Sequence, residues 1–493
     1  MTGRTAVPLV RWTPHVLKAD PTRVVVKTFL PGQELLTLGE SRATAVLERV
    51  LEMTSVEVDT WLTATLESFG PRHLDLPAIL MSRFELVAHR LPRPGRVSKA
   101  RRQLIGAFFT QEYAIEAAAL FNPSMVAHPD QEGLPPGSTR FIMSVRGVGE
   151  GHISSIEFRT GVINRHDSVA LDVPDGTTTL PVALPPTYRK SIFAQQLAGL
   201  GEDHSSADFV LDLLGDTFGS AELAMAIARL HGQELTRGPV ATTIEHLEWI
   251  ASCNYSVEFP ADSSIDQRVI IPTAPTESHG LEDLRMVRFT AEDGTVDYRG
   301  TYTAFDGARV VPQMLRTSDF RTFHVSQLCG PAAKDKGMAV FPRRVGGQYL
   351  ALSRWDRENN TVAASSDLGQ WDEAGVLQTP RQPWEMVQVG NCGPPIETDA
   401  GWLVLTHGVG PMREYSIGAM LLDLEDPRVV IGRLKRPLIT PQKGERDGYV
   451  PNVVYSCGGL VHGQTLVLPY GCDDSLIRIA LVDVPGLLAQ LTR

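Results

Sequence analysis

Gly401-Trp402-Leu403-Val404-Leu405-Thr406-His407, followed by Tyr415-Ser416-Ile417-Gly418-Ala419-Met420-Leu421-Leu422-Asp423, reads as two β-strands joined by a loop. β-forming and apolar residues fill both runs, a polar residue ends the first, and the second ends at Asp. The same grammar recurs upstream in Gln348-Tyr349-Leu350-Ala351-Leu352-Ser353-Arg354 with Thr361-Val362-Ala363-Ala364-Ser365-Ser366. It recurs downstream in Gln464-Thr465-Leu466-Val467-Leu468-Pro469-Tyr470 with Leu476-Ile477-Arg478-Ile479-Ala480-Leu481. Runs around Ser144 and Tyr302 bring the units to five. Radial repetition of four-stranded units accounts for this economically, so the expected fold is mainly β, a five-bladed β-propeller.

Two stretches break the pattern. Residues 40–121 are expected to be helical, from the three- and four-residue apolar spacing of Ser41-Arg42-Ala43-Thr44-Ala45-Val46-Leu47-Glu48-Arg49-Val50-Leu51 and the Ala, Gln and Glu content of Lys99 to Leu120. A second helical block runs from Tyr188 to Cys253 around Ala221-Glu222-Leu223-Ala224-Met225-Ala226-Ile227-Ala228-Arg229-Leu230, as an insertion into a β protein would. The expected division is therefore 1–121 for a lead and an N-terminal helical module, 122–187 for the first blade region, 188–254 for a helical insertion and 255–493 for the remaining blades. The helical blocks are expected to serve as scaffolding and a surface for homo-oligomer contacts, or as a lid over the propeller mouth.

With 57 acidic against 46 basic residues, the net charge of −11 argues against a nucleic-acid partner held by a basic surface. Cys253, Cys329, Cys392, Cys457 and Cys472 are odd in number and widely spaced, which favours neither a disulfide framework nor a zinc site. Charges and prolines occupy the first 17 residues where a signal peptide would be apolar, and no apolar run approaches the ~18 residues of a membrane span. A cytoplasmic protein without a membrane partner is expected.

If the five units are blades, the polar residues ending corresponding strands converge on one channel mouth, bringing together Arg146, Asp283, Arg354, His407 and Asp474. Lys336, Arg354 and His407 taken together resemble an oxyanion clamp, because phosphate is best held by several charge-assisted donors. Asp283 is a candidate proton donor and Asp474 a hydroxyl ligand. One carboxylic acid plus a phosphate clamp is what an inverting glycoside phosphorylase requires. An inverting hydrolase instead needs a second carboxylate about 6.5 to 9.5 Å away to activate water.

Gly280-Leu281-Glu282-Asp283-Leu284-Arg285 is similar to the G-x-E-D-P-R motif of glycoside hydrolase family 130, the mannoside phosphorylase and β-mannosidase family. Gly390-Asn391-Cys392-Gly393-Pro394-Pro395-Ile396-Glu397-Thr398 and the following Gly401 to Val409 resemble its next block, and Leu422 to Pro427, Ile431 to Arg433 and Val450 to Val454 continue the resemblance. The resemblance implies that Asp283 is the general acid, acting through a mannose hydroxyl. It implies that Lys336, Arg354, His407 and Tyr415 lie at the phosphate site, and that Arg146, Asn360 and Asp474 hold the cleaved sugar. Expected partners are an oligosaccharide and inorganic phosphate as co-substrate, with no cofactor and no metal. Leu284 stands where the family has Pro, so a changed turn is expected there. Asp356 and Glu358 near the clamp, or Glu397, would serve as base in the alternative reading, an inverting β-mannosidase. A non-catalytic sugar-binding propeller is the third reading.

Overall fold

The computed structural model describes residues 8–31, 42–200, 204–232 and 240–492, and these are mainly β. Glu40 and Ser41, which open the first expected helix, lie outside the described residues, as do residues 1–7 of the amino terminus and parts of the second helical block.

Five antiparallel meanders follow one another along the chain. The first contains Ala119–Ala127, Thr139–Val148, Ser154–Ile163 and Val169–Leu171. The second contains Gly280–Thr290, Val296–Phe305, Val310–Thr317 and Thr322–Gln327, extended at its outer edge by Tyr255–Glu258 and Val182–Leu184. Val182–Leu184 thus leaves the first expected blade region and joins the second meander. Ala339–Val340, Tyr349–Ser353, Asn360–Ser365 and Asp372–Gln378 form the third. Gln388–Asn391, Gly401–Val409, Tyr415–Leu422 and Val430–Arg433 form the fourth. The fifth is made of Val454–Tyr455, Thr465–Cys472 and Leu476–Asp483, and Val10–Lys18 completes it by pairing with Leu476–Asp483. A strand from near one end of the chain therefore closes the sheet formed at the other.

The apolar cores lie between successive meanders. Ile142 and Ile156 of the first pack with Leu281 and Tyr298 of the second. Val287 and Met314 of the second share a cluster with Ala351 and Ala363 of the third. Leu352 and Val362 of the third meet Trp402 and Val404 of the fourth, and Leu405 and Ile417 of the fourth meet Leu466 and Tyr470 of the fifth. Val467 and Ile479 of the fifth then pack with Phe141 and Met143 of the first, so the series of shared cores closes on itself. Strands buried on both faces need apolar side chains on both, which explains why Gly401–Val409 is buried throughout.

The first helical block comprises Arg42–Glu52, Ser55–Phe69, Leu76–Ala88 and Lys99–Phe108. Ala43, Leu47 and Val50 bury one face of its first helix, and Thr54 with Glu57 forms a capping box that starts the second. Helix ends at Phe108, short of the expected Phe121. Thr110–Ala114 instead pairs with Val24–Thr28, and Ala119–Ala127 already belongs to the first meander. The cross-strand partners available there override the helical propensity of the Ala- and Glu-containing segment. The second block, Lys190–Gly199, His204–Asp212, Ser220–His231 and Val240–Cys253, is built around its own core that includes Phe193, Leu230 and Leu247.

Candidate active site

Asp283 owes its position to two irregularities in the strand Gly280–Thr290. Gly280 has φ +131° and approaches Ser154 so closely that a Cβ would lie 2.3 Å from its Oγ, which demands glycine. The pairing with Val296–Phe305 then shifts between Glu282 and Arg285, and Asp283 sits in this bulge with φ 59°, a conformation Asp tolerates better than most side chains. Leu284, expected to disturb the turn, is 3% exposed and packs into the core shared by the first and second meanders.

The Asp283 carboxylate accepts hydrogen bonds from Asn122 Nδ2 at 2.6 Å and Arg146 Nη1 at 3.2 Å. Arg285 holds the same corner from behind, donating to the Asp283 carbonyl at 2.8 Å and to the Tyr455 hydroxyl at 2.7 Å. Burial is the largest influence and would raise the Asp283 pKa, but the charges of Arg146, Arg285 and Lys336 together outweigh it and hold the carboxyl below its ordinary range. Glu282 ties two cations together, with Arg146 Nη2 at 2.8 Å on one oxygen and Lys336 Nζ on the other. Asp474, in the turn after Thr465–Cys472, behaves in the opposite way: burial first, and then the charge of Asp283, push its pKa up to about 6.

Across the cavity the groups are short of carboxylates. Arg354, just past Tyr349–Ser353, has Nη1 3.5 Å from His407 Nε2, and its Nε is buried without a hydrogen-bond partner. The Nδ1 of His407 is 3.1 Å from the Asn391 carbonyl oxygen, which can only accept, so Nδ1 carries the ring proton. Burial above all, and Arg354 next, push the His407 pKa down to about 3. The expected clamp therefore contains a neutral histidine in place of a third cation. Tyr415 stacks against His407 with ring centroids 5.9 Å apart and accepts a hydrogen bond from Gln388 at 3.4 Å.

Asp283, Lys336, Arg354, His407, Tyr415, Arg146 and Asp474 all line one cavity of about 200 Å³. Asn360 does not. It begins the third strand of its meander, is fully buried, and donates to Gln378 Oε1 at 3.1 Å behind the strand that leads to Arg354. The candidate bases are also elsewhere: Asp356 accepts the amides of Glu358 and Asn359 in its own turn, and Glu397 pairs with Arg343 at 2.7 Å. Neither they nor Glu358 line the cavity, whose carboxylates are Glu282, Asp283 and Asp474. No described residue of either helical block lines it. Sequence reasoning passed over Asn122, Gln388, Arg413 and Tyr455. Asn122 stood at the visible change of texture into strand, whereas Arg413 carried no local signal.

Residues 254–493 match the family model Glyco_hydro_130, described as beta-1,4-mannooligosaccharide phosphorylase. The 1,2-beta-oligomannan phosphorylase of Thermoanaerobacter sp. (strain X514) is 35% identical over 230 residues, covering 45% of this chain and 75% of that protein. The chain belongs to glycoside hydrolase family 130. The beta-1,2-mannobiose phosphorylase of Listeria innocua serovar 6a is 29% identical over 237 residues, 46% of this chain and 65% of that protein. The solved structure of a Listeria innocua beta-1,2-mannobiose phosphorylase in complex with beta-1,2-mannobiose aligns at TM-score 0.44 and 20% identity, over 77% of this chain and 93% of that one. In this family 130 chain the matched span contains every cavity residue from Glu282 to Asp474, while Asn122 and Arg146 come from the preceding meander.

Proposed function

We propose that this protein is an inverting glycoside phosphorylase that cleaves β-mannosides with inorganic phosphate, giving α-mannose 1-phosphate and a shortened sugar. The observation that carries this reading is the division of charge in the cavity. Asp283, Glu282 and their cations occupy one flank, and Arg354, Arg413, neutral His407 and Tyr415 occupy the other without an ion pair among the described residues. Two guanidiniums without an ion pair among the described residues suit an anionic nucleophile; of the cavity's other carboxylates, Glu282 is tied to Arg146 and Lys336, and Asp474 has its pKa raised to about 6 by burial and by the charge of Asp283. The closed series of shared cores supports five blades around this cavity, with the first and fifth joined through Val10–Lys18.

In the reaction a phosphate oxygen attacks the anomeric carbon from the Arg354 flank as the bond to the glycosidic oxygen breaks. Asp283 supplies the proton to the departing oxygen through a mannose hydroxyl. Arg146, hydrogen-bonded to Asp283, and Asp474, more readily protonated, hold the sugar's hydroxyls. Lys336 supports the phosphate from its pairing with Glu282. An entering phosphate adds negative charge that offsets Arg146, Arg285 and Lys336, which moves Asp283 toward the protonated form an acid needs. Phosphate and a charged product retained inside the cell fit a cytoplasmic enzyme, and the two helical blocks, each with its own core, offer surfaces for self-association.

Relatives carry both β-1,2 and β-1,4 names, so both mannobioses are the substrates to assay. Phosphate should be required for turnover, with mannose 1-phosphate as product. Asp283→Asn should lower the rate by about 10²–10⁴-fold while preserving sugar binding. Release of free mannose at the same rate without phosphate would sink the reading.

A further inference from the structure

We infer that Arg413 is a phosphate-binding guanidinium, paired across the anion with Arg354, and that the turn carrying it sets the anion's position. The inference rests on the phosphorolytic reading above. Five side chains bring permanent positive charge to the cavity: Arg146, Arg285, Lys336, Arg354 and Arg413. The first three are engaged, Arg146 and Lys336 by Glu282 and Asp283, and Arg285 by the Asp283 carbonyl and Tyr455. Among the described residues the Arg354 guanidinium hydrogen-bonds only neutral His407. Arg413 makes no hydrogen bond or ion pair among the described residues; its guanidinium lies 5.9 Å from the centre of the Tyr415 ring, and its charge reaches Asp474 and lowers that carboxyl's pKa, though less than burial and Asp283 raise it.

The backbone holds Arg413 there against its own preference. Met412 and Arg413 have φ of 58° and 57°, two consecutive left-handed residues without a glycine. Side chains rarely adopt this conformation unless the surroundings impose it, and such residues gather at ligand sites. The turn is closed by Gly410 N–H donating to the Glu414 carbonyl at 2.9 Å, and Arg446 anchors Glu414 at 2.9 Å. Met412, at its tip, is 90% exposed, so burial of an apolar side chain does not explain the strain. What the strained turn does deliver is a cation beside Tyr415, on the flank where Arg354 has the other unpaired guanidinium. Two planar forks can each meet two phosphate oxygens and neutralise a dianion that Arg354 and a neutral imidazole would leave half-compensated.

The test is steady-state kinetics of Arg413→Ala and Arg413→Gln in both directions. Phosphorolysis should show KM for phosphate raised about tenfold or more, with KM for the mannoside changed less than about twofold. In synthesis, KM for α-mannose 1-phosphate should rise and KM for the acceptor sugar should not. Arg413→Lys should recover part of the loss, because it restores charge without the fork. The Gln variant keeps the side-chain length should Ala fail to fold. An unchanged KM for phosphate in a folded Arg413 variant, with Arg354→Ala raising it, overturns the role of Arg413 and leaves the phosphorylase reading standing. Phosphate-independent turnover by the unmodified protein overturns that reading, and this inference with it.

Discussion

Phosphate should enter this site with a proton. His407 donates from Nδ1 to the Asn391 carbonyl, so Nε2 carries a lone pair, which Arg354 Nη1 meets weakly at 3.5 Å. With a pKa held to about 3, protonating the ring at pH 7 in the empty site would cost four pH units, roughly 5 kcal/mol at ~1.36 kcal/mol per unit. A phosphate that keeps one proton avoids this penalty by donating its own O–H to Nε2 while the guanidiniums take the other oxygens. Above the second ionisation of phosphate the hydrogen phosphate dianion already carries that proton and should bind without net proton uptake, whereas sulfate, a dianion with no proton to donate, should bind at least about tenfold more weakly. Calorimetric titrations of phosphate and of sulfate above that ionisation measure this discrimination directly. Asp283→Asn should retain it, which separates His407 from the catalytic acid. His407→Gln, able to donate through its amide, should abolish it. Equal affinity of the unmodified protein for phosphate and sulfate would refute the reasoning.

Two further perturbations concern stability. Asp474 has a folded pKa raised from 3.8 to about 6, so its protonation contributes stability that is full below 3.8 and is lost as pH rises through about 6. Asp474→Asn should therefore raise the thermal midpoint by a few degrees at neutral pH and leave it unchanged in acid, at the expense of turnover. Equal shifts at both pH values would contradict the cause given. Glu277 is fully buried and accepts from Tyr255 and Tyr302 and from the amides of Thr273 and Ala274, at the turn leading into the Asp283 strand. Glu277→Gln turns half of that acceptor into a donor, and denaturant unfolding should show a loss of about 2–4 kcal/mol; a loss under about 0.5 kcal/mol would mean that this network is not buried as described.

Strand content, the recurring units and the motif around Asp283 were legible because each is local. Apolar runs specify strands wherever both faces are buried, and Gly280 and Asp283 suit the backbone the bulge requires. The convergence of Arg146, Arg354, His407 and Asp474 was read from places at strand ends, although Arg146 and His407 lie inside Thr139–Val148 and Gly401–Val409. Residues 110–120 misled because helical propensity is a weak local preference that the partner strand Val24–Thr28 overrides. Asn360 misled because polarity at the start of a strand does not reveal whether that strand is inner or outer.

By itself the sequence determined which residues are charged, most of the runs that become strands, and that an Asp follows a glycine in a recognisable motif. Tertiary structure decided what those charges do. It gave Lys336 and Arg146 to Glu282, left Arg354 and Arg413 without an ion pair among the described residues, and made His407 neutral by burying it against an arginine and a carbonyl. The physical reason is that a group's charge state and availability depend on the dielectric and partners supplied by distant segments, and no local pattern in the chain encodes them.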